Sequence, residues 1–202
     1  MNILFVSTAY IEPGMPSTGL PNYLRRVSYA LTEKKHKVII LYSASYNQRR
    51  YDREVEVIAL RIPHLFCEDE AKEVERRSII ASFILNKKTD EIINERNIDI
   101  VQFTSLDGIG RMYHSRIPAV LRLSSYHKTY FSSGLTYNQK VVDAYANAER
   151  ESARGMARIY APRAITAEAF GSDIGRKVDV IETPFENDRS EERRVGKECR
   201  SR

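Results

Sequence analysis

The sequence predicts an α/β protein built on a doubly wound parallel sheet, and three observations carry that expectation. Short apolar runs alternate with longer segments of three-to-four spacing along most of the chain. The first run, residues 3–7, is unbroken rather than alternating, as expected of a central parallel strand covered on both faces. The chain has 202 residues, 42% hydrophobic and 29% charged, which suits one α/β domain with a filled core.

Taken in order, residues 3–7 form the first strand, and a loop rich in Pro, Gly and Ser spans 10–19. Leu20, Tyr23, Leu24, Val27, Ala30 and Leu31 then recur at helical spacing, with Pro21 suited to a first turn. Residues 37–42 and 55–60 read as the second and third strands. Residues 68–96 read as helical in two pieces joined near 86–89. A strand over 98–103 is followed by a helix from about 106 that ends before 116. A strand over 119–123, an irregular stretch over 124–138, and a helix over 139–156 come next. A strand over 158–161, a helix over 163–170 and a strand over 178–181 complete the set, and no internal repeat is visible. Strand–helix alternation of this kind argues a parallel sheet with crossover helices.

Several classes of function are disfavoured. No apolar run approaches the roughly 20 residues that span a bilayer. The amino terminus lacks the basic segment of a secretory signal, so the expected location is cytoplasmic. Cys67 and Cys199 have neither metal-ligand nor disulfide-framework spacing, so no metal site is expected. The net charge of +5 could suggest nucleic acid, but residues 189–202 hold six basic residues against three acidic ones. That short tail supplies most of the excess, and no nucleic-acid partner is expected. Its sequence, RSEERRVGKECRSR, has no helical or strand periodicity and resembles the translation of a common sequencing-adapter DNA. Residues 1–188 are accordingly expected to be the biological domain, and 189–202 a non-native tail.

In an open parallel sheet, ligands bind beyond the carboxyl ends of the strands, near the topological switch point. Three places there carry candidate chemistry. The loop after the first strand is longer than usual and ends in Gly19 at a helix mouth, where backbone N–H groups favour phosphate. It contains neither GxGxxG nor GxxxxGK[ST]. His127 follows a strand within Ser124-Ser125-Tyr126-His127-Lys128, where it could bind a hydroxyl or move a proton. Glu149 and Glu151 lie late in a helix and read as a solvated face. The segment 68–88, with Arg76, Arg77, Lys87 and Lys88 beside Ile79, Ile80, Phe83, Ile84 and Leu85, reads as a core-packing amphipathic helix, with contact to a membrane surface as the other reading.

These residues also match a family. "NILFVSTAY" followed by "PSTGLPNYLRRVSYALTEKKHKVIIL" resembles the amino-terminal domain of family 4 retaining glycosyltransferases, which have the two-domain GT-B fold. "DIVQFTSL", "IPAVLRLSSYH", "ERESARGMARIYAPRAITAEAF" and "VDVIETPFE" extend the resemblance, in order, across residues 1–186. Thr18-Gly19 stands where two glycines are usual, and Lys35-His36 where Gly-His is usual. The resemblance implies a Rossmann-like, acceptor-side half of the fold. It implies transfer from a nucleotide-sugar donor to a hydroxyl acceptor (a sugar, glycan or lipid-linked sugar), usually without metal or other cofactor. Gly19 would then lie beside the donor diphosphate and His127 would be the catalytic-site residue touching the sugar. Glu12 and Thr18 would shape the acceptor side. The donor-binding carboxyl-terminal domain of that family has no counterpart in this sequence, so the chain is expected to be inactive by itself. A non-catalytic sugar- or partner-binding module on the same fold is the alternative.

Overall fold

The computed structural model describes residues 1–12, 19–64, 66–130 and 138–183. Thr18 and the tail 189–202 lie outside the described residues. The strands are β1 (Asn2–Ser7), β2 (Lys37–Ala44), β3 (Gln48–Asp52), β4 (Val55–Arg61), β5 (Ile100–Thr104), β6 (Ala119–Arg122), β7 (Arg158–Ala161) and β8 (Asp179–Val180). The helices are α1 (Gly19–Glu33), α2 (Glu70–Arg96), α3 (His127–Tyr130), α4 (Gln139–Ala153) and α5 (Ala164–Ile174), with a 3-10 turn at Leu106–Gly108.

One sheet of eight strands runs in the order β3-β4-β2-β1-β5-β6-β7-β8. Every pairing is parallel except β3 with β4. The chain winds outward from β1 through β2, then returns across α2 to β5 and winds the other way. The order therefore reverses between β1 and β5, and that is the switch point.

The two faces divide the core. Ile3 and Phe5 of β1 point to the side of α1, with Tyr23, Leu24, Val38, Ile40, Tyr42 and Val57. Leu4 and Val6 point to the other side, with Leu85 and Ile92 of α2, Phe103, Leu121, Ala146 of α4 and Phe170 of α5. This alternation is why residues 3–6 of β1 and 38–42 of β2 had to be apolar.

Four expectations need correction. An additional strand, β3, lies at the sheet edge. Its residues Gln48-Arg49-Arg50-Tyr51-Asp52 are mostly exposed, so nothing apolar marks it, and it turns into β4 through Arg53 at φ 55. The segment expected as two helices is one, α2, of 27 residues. Asn86 does not break it, because its amide donates to Ser82 O at 2.7 Å and to Ile109 O at 2.8 Å in the interior. Asp69 caps its start, accepting from the N–H of Ala71 and of Lys72. The helix expected from 106 is only a 3-10 turn, since Asp107 and Gly108 both take positive φ, 56 and 63. At Gly108 a Cβ would come within 2.6 Å of Ala148 O, so this turn lies directly on α4. Finally, within 124–138 the short α3 forms at His127–Tyr130.

Candidate functional site

The β1–α1 connection begins at the switch point and is pinned at its start. Ser43 Oγ donates to Thr8 O at 2.8 Å, and Ser7 Oγ donates to Ala9 O at 2.9 Å. Tyr10 is buried and its hydroxyl donates to Asp52 Oδ2, while Arg50 donates to Ile11 O. Tyr29 of α1 donates to the other Asp52 oxygen at 2.5 Å. The unforeseen β3 thus ties loop and helix together. Burial, then the Asp52 carboxylate, raise the Tyr10 phenol above its ordinary range, so it stays a donor. Glu12 is half-buried at the end of this stretch. Gly19 opens α1, is exposed, and would place a Cβ in open space.

His127 stands at the start of α3, just beyond β6. Its Nδ1 lies 3.0 Å from Glu149 Oε1, and its backbone N–H donates to Glu149 Oε2 at 3.1 Å. The imidazole stacks on Tyr145, with centroids 4.3 Å apart and planes 5° apart. Ser105, just past β5, donates to Glu149 Oε1 at 3.5 Å. Tyr145 in turn receives a hydrogen bond from Arg77 at 2.7 Å, and the same guanidinium pairs with Asp107 at 2.9 Å. Strands β5 and β6, the 3-10 turn, α2 and α4 therefore converge on one ring.

Glu149 corrects the sequence reading most directly. It was expected on a solvated face and is fully buried. Burial raises its pKa, while the contacts from His127 and Ser105 pull it down. An N–H on Nδ1 facing Glu149 Oε1 orients the ring and leaves the neutral imidazole's lone pair on Nε2. Ser152 is buried too, and accepts from Gly110 N–H at 3.2 Å. Glu151 does partner outward, with Arg154 at 2.9 Å. One signal could have found Glu149: α4 buries Val142, Ala146, Glu149 and Ala153, so the carboxylate falls on the apolar stripe.

The structure thus places Gly19 and His127 at the same carboxyl edge but on different sides of it, with α1 and α4 respectively. An open cleft of about 470 Å³ between α2 and α4, lined among others by Lys72, Glu75, Arg111, Lys140, Asp143 and Glu151, includes neither. Among the described residues no group of three or more His, Cys, Asp or Glu is placed to hold a metal ion, and no helix is long and apolar enough to cross a membrane.

No family model matches the chain, and no curated protein matches it. Solved structures do. One is sucrose-phosphate synthase from Thermosynechococcus elongatus, at 11% identity and TM-score 0.53, covering 99% of this chain and 98% of that one. Another is CalG4, the calicheamicin glycosyltransferase, at 10% identity and TM-score 0.52, covering 91% of this chain and 53% of that one. The chain thus spans about half the length of CalG4. At these identities the likeness concerns the fold: this chain has the Rossmann-like α/β fold found in GT-B glycosyltransferases.

Proposed function

We propose that the chain is the acceptor-side domain of a family 4 retaining glycosyltransferase, acting with a nucleotide-sugar donor and a hydroxyl acceptor. The observation that supports it best is the histidine held by a buried carboxylate at the carboxyl edge, beside the switch point where α1 also opens. In this reading the donor diphosphate lies against the first turn of α1 at Gly19. His127 touches the transferred sugar near its reacting carbon, and Glu149 is a positioning residue that fixes the ring. The bond from that carbon to the diphosphate oxygen breaks with its electron pair going to the diphosphate, a bond to the acceptor oxygen forms, and the acceptor's hydroxyl proton leaves with the diphosphate. Glu12 and Thr18 flank the acceptor.

A second, donor-binding domain completes such a site, and positioning between two domains supplies much of the rate. The chain by itself then binds weakly and does not turn over. The proposed setting is the cytoplasm, at or near the inner membrane face.

Calorimetric titration of the chain with UDP-, GDP- and dTDP-sugars tests the reading. Millimolar binding of at least one is expected, without release of free nucleoside diphosphate. His127→Ala is expected to weaken the sugar nucleotide and leave the free nucleoside diphosphate unaffected. Absence of binding to any donor, or equal binding by the variant, would refute the assignment.

A further inference from the structure

Arg122 ends β6 on the face opposite His127, and it is 95% shielded from solvent, with 5% exposure. Its guanidinium carbon lies 3.7 Å from the centroid of the Tyr23 ring on the second turn of α1. One N–H donates to Ser124 Oγ at 2.7 Å, and another reaches Thr183 Oγ1 at 3.5 Å. Among the described residues no carboxylate pairs with it. A buried charge without a counter-charge is costly, which is why buried arginines are normally paired.

The neighbouring strands add a second observation. Thr104 on β5 is the register partner of Arg122, so both side chains leave the same face. Thr104 is 1% exposed, and its hydroxyl has no hydrogen-bond partner among the described residues. Tyr160 of β7, the register partner on the other side, hydrogen-bonds Tyr23 at 2.8 Å and Gln102 at 2.9 Å. Burial raises its pKa well above the ordinary phenol range, so it remains neutral. Among the described residues this wall therefore holds a fixed cation and an unused hydroxyl, and no negative charge.

We propose that Arg122, Thr104 and Ser124 form a subsite for an oxyanion, a phosphate or carboxylate group of a bound ligand, at the carboxyl edge under the first turns of α1. A guanidinium presents paired N–H groups that match such oxygens, and Tyr23 holds its plane in place. The subsite needs no sugar transfer, so its failure would leave the glycosyltransferase reading untouched.

The test is thermal unfolding of the chain at fixed ionic strength, with inorganic phosphate, pyrophosphate and glucuronate titrated separately. At least one anion is expected to raise the midpoint, since a ligand that binds only the folded state stabilises it. Response to the phosphates only assigns a phosphoryl group, and response to glucuronate only assigns a carboxylate. Arg122→Met is expected to unfold no lower than the parent without anion and to lose about tenfold or more in apparent affinity. Thr104→Val, which leaves the guanidinium in place, is expected to lose several-fold. A parent indifferent to all three anions would overturn the proposal. So would an Arg122→Met that keeps the full anion response. If Arg122→Met does not fold and Thr104→Val binds as well as the parent, Arg122 is a strut and the subsite does not exist.

Discussion

The two sides of the carboxyl edge handle buried charge in opposite ways. Beside α4 a fully buried carboxylate, Glu149, is met by the His127 ring, the His127 backbone and Ser105. Beside α1 a buried guanidinium, Arg122, is met by two hydroxyls and an aromatic face. A carboxyl group partnered from within the fold orients its neighbours. A charge that no described carboxylate pairs is suited to a ligand that brings one. The first should therefore matter for stability and ring orientation, and the second for binding.

Breaking the paired side should have the largest effect. Glu149→Ala removes the buried partner of both the His127 ring and its backbone N–H, and is expected to cost about 3–5 kcal/mol in denaturant unfolding. The outcome that contradicts this is a loss within the range of a surface substitution. The glycines offer a comparison of similar kind. Gly108→Ala forces a side chain to positive φ and against Ala148 O, with an expected cost of about 2–4 kcal/mol. Gly19→Ala meets open space at a helix start, so its unfolding free energy should stay within about 1 kcal/mol of the parent while nucleotide-sugar binding weakens.

A smaller effect sharpens the account of Glu149. Its folded-state pKa is raised by burial above the ordinary glutamate value. Between those two values the folded state holds more protons than the unfolded one, so this residue's contribution to stability falls as pH rises through the window. Glu149→Gln keeps an acceptor but cannot titrate. Midpoints measured from acid to neutral pH should fall less steeply for the variant than for the parent. Parallel curves would show that Glu149 does not titrate differently in the two states.

Much of the fold was legible because its central strands carry the burial signal. Ile3 to Val6 and Val38 to Tyr42 are buried in unbroken runs, and no polar residue interrupts them. Strand β3 was illegible for the converse reason: an exposed edge strand of Gln, Arg, Arg, Tyr and Asp need not be apolar at all. The polar residues Asn86 and Thr89 suggested a break in α2, yet both are buried within it, and the amide of Asn86 reaches Ile109 across the helix surface. At the candidate site, the position of His127 just after a strand was legible from the sequence. Glu149 was passed over because charged neighbours masked its position on the apolar stripe of α4. Arg122 gave no signal, since one arginine at the end of an apolar strand reads as a strand end. That no described carboxylate pairs with it is a property of three dimensions.

The most direct test of the central claim, that the carboxyl edge around the β1–β5 switch point binds a nucleotide sugar, is an amide NMR map of the chain titrated with the donor that calorimetry selects. The account predicts perturbations at Ala9, Gly19, Leu20, Thr104, Ser124 and His127, on both sides of that edge. Perturbations confined to the cleft between α2 and α4, or to the opposite, amino-terminal edge of the sheet, would contradict it.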